Sequence, residues 1–356
     1  MKLLVLPGDG IGPEITDATL AVLAAADRRF GLGLTYETMD IGWAAYHQTG
    51  TTLPDAVLDA ARTVDGVLLG PISHLDYPPR NEGGVNVSAA FRTRLDLYAN
   101  VRPARTRPGV PHRGTDMNLV IMRECTEGMY PDRNMHKGSG EFMPTEDIAL
   151  SLRKITRPAC RRIAIAAFEL ARRREKHVTA VHKANNFILT DGLFLEEVRA
   201  VASGYPDVRF DEYIVDAMAA WLVRDASRFD VIVSTNFYCD ILSDLASELS
   251  GGLGLAGSIN ANETRCVAQA QHGSAPDIAG QGKANPTSLI LSAAMLLDWL
   301  AEKSGASEPA RAAQAINVAI DQALARVETC TPDLGGPLST ASFGKVVSDG
   351  LLREPS

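Results

Sequence analysis

The segment VIVSTNFYCDILSDLASELS, residues 231–250, changes from a strand pattern to a helix pattern within a few residues. Residues 231–234 form a short, largely apolar and β-branched run, which predicts a buried strand. Apolar residues then recur at helical spacing at Ile241, Leu245 and Leu249, with Leu242 beside them. A buried strand followed directly by a helix is typical of an open α/β fold.

Two acidic residues in this helix suggest a function. Asp240 and Asp244 are four residues apart, so both carboxylates project from one face of the helix. Like charges at this spacing repel unless a cation lies between them, and a hard divalent ion such as Mg²⁺ or Mn²⁺ prefers oxygen ligands. The alternative is a solvated helix face with two acids near the helix start, which the helix dipole favours. The spacing alone favours this alternative.

Strand and helix patterns alternate along the chain. β-branched apolar runs predict strands, and helical periodicity or a proline at a helix start predicts helices. The alternation predicts an open α/β fold with much parallel sheet. The predicted strands are 2–6, 64–70, 100–105, 119–122, 177–183, 211–215 and 231–234, and the predicted helices are 13–26, 85–97, one from Pro158, 191–202, one after Asn236, 287–300 and 310–329. Residues 144–156 show no helix pattern.

Length, composition and charge limit the possible classes of protein. A chain of 356 residues predicts two lobes, and 46% hydrophobic with 22% charged residues is ordinary for a soluble globular protein. The net charge of −8 argues against nucleic acid or an anionic membrane as a partner, and no apolar run reaches transmembrane length. The five cysteines form no CxxC pair, so neither a disulfide framework nor a zinc site is indicated. We therefore expect a protein of the reducing cytoplasm.

A glycine-rich segment, LPGDGIGPEI (Leu6–Ile15), follows the first predicted strand. It begins like a dinucleotide-binding fingerprint, but position 13 is proline, so GxGxxG fails. The GxGxxG pattern does occur at Gly252, Gly254 and Gly257. There it follows a predicted helix, so it lacks the strand–turn–helix context of a dinucleotide-binding site. We therefore expect that no ordinary Rossmann loop holds a nucleotide in this chain.

Three segments together resemble a known family. Residues 236–255, the run HGSAPDIAG (His272–Gly280) with Ala284-Asn285-Pro286, and Leu6–Ile15 resemble motifs of the metal-dependent β-decarboxylating dehydrogenases, the isocitrate/3-isopropylmalate dehydrogenase family. The resemblance implies two open α/β domains sharing a central sheet. The first would comprise 1–97 plus 251–356 with the nucleotide loop, and the second 98–250 with the metal aspartates and an intersubunit arm near 144–156. It also implies a homodimer with shared active sites.

The resemblance implies a substrate clamp and a metal site. Oxidation of a 2-hydroxy acid with loss of its β-carboxylate needs cations for the carboxylates and a Lewis acid on the hydroxyl oxygen. An arginine fork binds a carboxylate through two hydrogen bonds. The residues that match the family's substrate arginines are Arg92, Arg102 and Arg123. Those that match its ligands for Mg²⁺ or Mn²⁺ are Asp240, Asp244 and, from the neighbouring subunit, Asp216.

The resemblance also implies a proton-transfer pair and a nucleotide loop. Tyr130 would protonate the enolate carbon, and Lys183 of the partner subunit would relay the hydroxyl proton. Asp277 favours NAD, because a carboxylate accepts hydrogen bonds from ribose hydroxyls and repels a 2′-phosphate. The residues that match the family's adenosine loop are His272, Gly273, Ser274, Ala275, Pro276, Asp277, Ile278 and Asn285.

The identity of the 3-substituent remains open at this level. Asn86 and Ser88 precede the first clamp arginine and favour a polar or anionic substituent, as in isocitrate or homoisocitrate. 3-Isopropylmalate, tartrate and D-malate are alternatives among the 3-substituted (R)-malates and their relatives, and a non-catalytic regulatory subunit is an alternative of another class. The last is disfavoured because all proposed catalytic groups are present. Three positions depart from the family pattern: Cys125, Cys239 and Gln269.

Overall fold

The computed structural model describes residues 1–353 and confirms a mixed α/β chain with a large central sheet. The strands are β1 (Lys2–Leu6), β2 (Thr35–Thr38), β3 (Gly66–Leu69), β4 (Ala99–Arg105), β5 (Asn118–Glu124), β6 (Glu141–Thr145), β7 (Ile148–Ser151), β8 (His177–His182), β9 (Arg209–Ile214), β10 (Val231–Ser234), β11 (Ile259–Ala261) and β12 (Cys266–Gln269). The helices are α1 (Gly12–Phe30), α2 (Gly42–Thr49), α3 (Asp55–Ala61), α4 (Val87–Arg94), α5 (Arg157–Arg172), α6 (Thr190–Ala202), α7 (Val215–Asp225), α8 (Asn236–Ser250), α9 (Thr287–Ser304), α10 (Ser307–Leu324) and α11 (Thr340–Leu352).

The chain forms two compact units. The first comprises Met1–Leu95, Arg107–Pro111 and the chain from Gly251 onward, and the second comprises Asp96–Thr106 and His112–Ser250. In the first unit the strand order is β2-β1-β3-β12-β11. All neighbours there are parallel except β11 and β12, which pair antiparallel. Helix α9 packs against β12 and β3, and α1 packs against α11.

In the second unit the strand order is β4-β5-β10-β8-β9, and only β4 runs antiparallel to its neighbour. The strand of the opening segment, β10, therefore lies in the middle of this group. Val231 and Val233 pack into the cluster that contains α5, whereas Ile232 packs into the cluster that contains α8. A central parallel strand is covered on both faces, which explains why it reads as a continuous apolar run.

The structure corrects one residue of the predicted apolar stripe of α8. Ile241 was expected on the apolar stripe, but it is 54% exposed. The buried stripe consists of Cys239, Leu242, Ala246 and Leu249. The prediction is confirmed for Leu242 and Leu249, and Leu245 packs against the same cluster.

Several predicted boundaries also differ. The helix predicted at 85–97 is the shorter helix α4. It starts after Asn86 because the side-chain oxygen of Asn86 caps it, accepting a hydrogen bond from the Ala89 N–H at 3.0 Å. The helix predicted at 310–329 is α10, which ends at Leu324. The segment near 144–156 contains no helix, as predicted, but forms the exposed antiparallel pair β6 and β7. Within residues 1–353 no helix is both long and apolar enough to cross a membrane.

Candidate active site

In the second unit, strands β4 and β5 place two arginines on one face of the sheet. Asn100 of β4 pairs directly with Arg123 of β5, so their side chains share a face. Arg102 is two residues beyond Asn100 on the same strand and therefore projects to the same side. Helix α8 packs against both strands. Asp240 and Asp244, one turn apart on that helix, meet the two guanidinium groups.

The contacts between these groups form one charged cluster. Arg102 Nη1 lies 3.0 Å from Asp244 Oδ1 and 3.4 Å from Asp240 Oδ1. Arg123 Nη1 donates to the same Asp240 oxygen. The two guanidinium groups are buried, whereas the side chains of Asp240 and Asp244 are 31% and 51% exposed. The site therefore presents carboxylate oxygens outward, in front of buried positive charge.

Neutral side chains that were not predicted from the sequence orient the two arginines. Arg102 Nε donates to Asn100 Oδ1 and Arg123 Nε donates to Asn236 Oδ1, each at 2.7 Å. Ser243 Oγ accepts from Arg102 Nη1, also at 2.7 Å. A signal was available for Asn100, since a strand places residues i and i+2 on one face. No comparable signal connects Asn236 or Ser243 to arginines more than a hundred positions away.

Tyr130 lies in the same cluster. Its phenol donates to Asp240 Oδ2, and the guanidinium carbon of Arg123 lies 5.8 Å from its ring centroid. Burial raises the pKa of Tyr130, and the hydrogen bond to Asp240 raises it further. The phenol is therefore held in its neutral form and can act as a proton donor.

Lys183 and Asp216 form a separate ion pair in the second unit. Lys183 follows β8, Asp216 lies in the first turn of α7, and Lys183 Nζ donates to Asp216 Oδ1. This hydrogen bond lowers the pKa of Asp216. The backbone N–H of Lys183 donates to the buried carboxylate of Asp191 at 2.6 Å, and Arg153 approaches the other Asp191 oxygen at 2.6 Å. Neither Asp191 nor Arg153 was identified from sequence.

Two of the three predicted metal ligands come together in one chain. Among residues 1–353 no three Asp, Glu, His or Cys side chains are close enough to hold one ion, so Asp216 does not join Asp240 and Asp244. Burial raises the pKa of Asp244, and the negative charge of Asp240 adds to that rise while Arg102 opposes it. A cation bound between the two carboxylates would relieve this repulsion, and their oxygens suit Mg²⁺ or Mn²⁺. The donor set fits such an ion, with two ligands from one chain.

The predicted nucleotide loop lies in the first unit, between β12 and α9. Ser274 is buried, whereas Asp277 is exposed in a short 3₁₀ turn (Pro276–Ile278). Asn285 Oδ1 accepts from the Thr287 N–H at 3.0 Å, at the start of α9, and its amide donates to Asp333. Burial lowers the pKa of His272, which favours a neutral imidazole. Only Asp277 in this set presents a charge to solvent.

The remaining predicted substrate residues belong to α4, also in the first unit. Arg92 Nε donates to Asn260 Oδ1 at 2.8 Å. Ser88 Oγ accepts from Gln269 Nε2 at 2.7 Å, so the unusual glutamine supports Ser88 and leaves the hydroxyl proton free to donate. The oxygen of Asn86 is used as the helix cap, and the residue is exposed.

The two cysteine departures are structural. Cys239 is fully buried in the α8 stripe, and burial raises its pKa to about 12. Helix α8 passes through this position without interruption. Cys125 is also fully buried, and its thiol donates to the Leu97 carbonyl at 2.9 Å. Both thiols are therefore core groups rather than ligands.

The chain is similar to known proteins over nearly its whole length. The family model "Isocitrate/isopropylmalate dehydrogenase" matches residues 2–347. The isocitrate/homoisocitrate dehydrogenase of Thermus thermophilus is 42% identical over 98% of each chain. The 3-isopropylmalate dehydrogenase of Archaeoglobus fulgidus is 40% identical over 98% of this chain and 99% of its own. The crystal structure of isocitrate dehydrogenase from Methylococcus capsulatus has a TM-score of 0.87 at 40% identity and 99% coverage of both chains. The chain therefore belongs to the isocitrate/isopropylmalate dehydrogenase family and is an oxidoreductase that carries out a decarboxylating dehydrogenation.

Proposed function

We propose that the protein is an NAD- and divalent-metal-dependent oxidative decarboxylase of a 3-substituted (R)-malate. The observation that carries this proposal is the shared use of Asp240, which contacts a clamp arginine through one oxygen and the phenol of Tyr130 through the other. A carboxylate clamp, a metal ligand and a proton donor are thereby joined at one side chain. The presence of these groups also argues against a non-catalytic subunit.

The residues of this chain have distinct roles in the proposal. Arg92, Arg102 and Arg123 bind the substrate carboxylates, and their fixed forks hold the hydroxy acid in one orientation. Tyr130 donates the proton to the carbon that loses its carboxylate, and its raised pKa keeps that proton in place until then. Lys183 of the partner subunit relays the hydroxyl proton, which requires that its amine has first given up a proton.

The proposed metal ion is held by Asp240 and Asp244 with Asp216 from the neighbouring protomer. When bound, Mg²⁺ or Mn²⁺ acts as a Lewis acid toward the 2-oxygen of the substrate. NAD would be bound by the loop His272–Asp277 with Ile278 and Asn285. There the exposed carboxylate of Asp277 would accept hydrogen bonds from the ribose hydroxyls.

The proposed assembly is a homodimer with shared sites. Exposed apolar side chains on the β6–β7 pair and on α8 support it, since such clusters commonly mark subunit interfaces. These side chains are Phe142, Met143, Ile148, Leu150, Phe237 and Ile241, each 38–63% exposed.

The proposed substrate carries a polar or anionic 3-substituent. The hydroxyl of Ser88 and the amide of Asn86 both have hydrogen atoms to donate, and an isopropyl group would leave them unpaired. The relatives' names alone do not decide this, since they include isocitrate/homoisocitrate and 3-isopropylmalate dehydrogenases. Specificity must therefore be measured.

The test compares kcat/KM with NAD and Mg²⁺ or Mn²⁺ for isocitrate, homoisocitrate, 3-isopropylmalate, tartrate and D-malate. We expect isocitrate or homoisocitrate to be preferred. Ser88→Ala should then lower kcat/KM for the preferred acid about tenfold, and should leave D-malate, which has no 3-substituent, unchanged. A preference for 3-isopropylmalate would show that Asn86 and Ser88 do not face the substituent.

A further inference from the structure

In the first unit, the buried carboxylate of Asp9 connects three segments. It is 6% exposed and accepts hydrogen bonds from the backbone N–H groups of Trp43 at 2.8 Å and Ser73 at 2.9 Å. Tyr77 donates its phenol proton to the same carboxylate. Burial, followed by this hydrogen bond, raises the pKa of Tyr77 far above its usual value. Asp9 thus fixes the segment after β3 and the start of α2.

The glycines beside Asp9 allow two loops to approach the chain closely. A Cβ at Gly8 would lie 2.2 Å from the carbonyl oxygen of Pro71, and a Cβ at Gly10 would lie 2.0 Å from that of Ser274. Both glycines have positive φ, 77° and 58°. The GDG segment therefore packs against the loop after β3 on one side and the proposed nucleotide loop on the other.

A direct hydroxyl contact joins these two loops. Ser73 Oγ lies 2.7 Å from Ser274 Oγ, and both residues are buried, 8% and 5% exposed. The carbonyl of Ser274 accepts from the Ile11 N–H at 2.9 Å. The next residue, Ala275, has φ 38°, a left-handed conformation that is strained for alanine and that persists only where neighbours impose it.

We propose that Ser73, held by Asp9, is a positioning residue that imposes the conformation of the nucleotide loop through Ser274. Loss of the hydroxyl contact would release the strained turn at Ala275 and with it the preformed position of Asp277. The identity of the ligand as NAD rests on the proposed function, but the coupling of the two loops does not. Ser73 acts through Ser274 and need not touch the cofactor.

The test uses Ser73→Ala in the full chain. The matched control is Ser348→Ala, because Ser348 is also 8% exposed and donates only to Gly344 of its own helix, at 2.8 Å. The first measurement is backbone hydrogen exchange of residues 271–280 without ligand. The second is steady-state kinetics with varied NAD and varied hydroxy acid.

We expect faster exchange at 271–280 in Ser73→Ala and a KM for NAD raised about fivefold, as for loss of one hydrogen bond. The KM for the hydroxy acid and kcat should stay within about twofold. Asp9→Asn should shift both readouts in the same direction, since an amide cannot accept from all three donors. If Asp9→Asn does not fold, the measurements on Ser73→Ala still test the positioning role of Ser73.

Unchanged exchange in Ser73→Ala would overturn the inference, as would equal changes in exchange and KM in Ser348→Ala. An equal rise in both KM values would also overturn it, because a general destabilisation would produce that result. If the wild-type protein fails to reduce NAD but exchange at 271–280 quickens in Ser73→Ala, the proposed function fails while the positioning role stands.

Discussion

Tyr130 and Asp240 share a hydrogen bond in which the phenol donates to Oδ2, while Oδ1 of the same carboxylate accepts from Arg123. Asp240 therefore sets the charge felt by both the proposed proton donor and the proposed clamp. Burial raises the pKa of Tyr130, the hydrogen bond and the negative charge of Asp240 raise it further, and Arg123 acts in the opposite direction. If the proposed roles hold, we expect a change at Asp240 to alter substrate binding, proton transfer and metal binding together.

The first prediction concerns the metal. Asp240→Asn removes a charged oxygen ligand, and we expect activity to fall by about a hundredfold or more, because Lewis-acid stabilisation contributes several kcal/mol. EDTA should abolish turnover of the wild type, and Mg²⁺ or Mn²⁺ should restore it. Glu248→Gln, an exposed acid further along α8, is the control and should leave activity unchanged. Full activity after removal of metal would contradict the proposal.

The second prediction concerns the shared site. Lys183→Ala and Tyr130→Phe should each be inactive, but a mixture that exchanges subunits should recover about a quarter of wild-type activity. Half of the dimers are then mixed, and each has one site with both groups intact. Exchange is checked separately with differently tagged chains. If subunits exchange without recovery, Lys183 and Tyr130 act within one chain.

The third prediction concerns coenzyme choice. Changing Asp277 to Lys and Ile278 to Tyr should weaken NAD and improve NADP, because repulsion of the 2′-phosphate becomes attraction. The measurement is the ratio of kcat/KM for the two coenzymes. Asp17→Lys, an exposed site on α1, controls for the change in net charge and should leave the ratio unaltered. A wild-type preference for NADP would refute the role of Asp277.

The fourth prediction concerns stability and pH. Burial raises the pKa of Glu127 to about 6 from 4.5. Because the folded-state pKa lies above the unfolded value, the folded protein binds the proton more tightly. Ionisation of Glu127 therefore destabilises the fold as pH rises from about 4.5 to about 6, by up to about 2 kcal/mol.

Glu127→Gln removes this ionisation while keeping groups able to bond to the Thr156 N–H and hydroxyl, which Glu127 contacts at 2.6 and 2.9 Å. Relative to wild type, the variant should gain free energy of unfolding between pH 5 and pH 7, measured with urea. Glu248→Gln should show no such gain. A difference between Glu127→Gln and wild type that is independent of pH would refute the assignment.

Much of the fold could be predicted because its central strands, such as β3 and β10, are buried on both faces. The β-branched run at 231–234 is in fact β10, and the helix after it is α8. The missed elements have weaker patterns: β2 is largely exposed, and α2 and α3 have only eight and seven residues. Periodicity over so few residues does not distinguish a helix from a loop. On α8 the prediction was wrong for Ile241, because helical spacing does not distinguish a residue at the edge of an apolar stripe from one at its centre.

The sequence by itself determined the residue types of the candidate site, since motifs keep Arg102, Arg123, Tyr130 and Asp240 at recognisable positions. Only the tertiary structure decided that Asn100, Asn236 and Ser243 orient the arginines, and that Ser73 meets Ser274 across 201 positions of the chain. The physical reason is that strand pairing and loop packing bring distant positions within hydrogen-bond distance. Such contacts depend on which strands become neighbours in the sheet, and local sequence patterns do not predict the strand order.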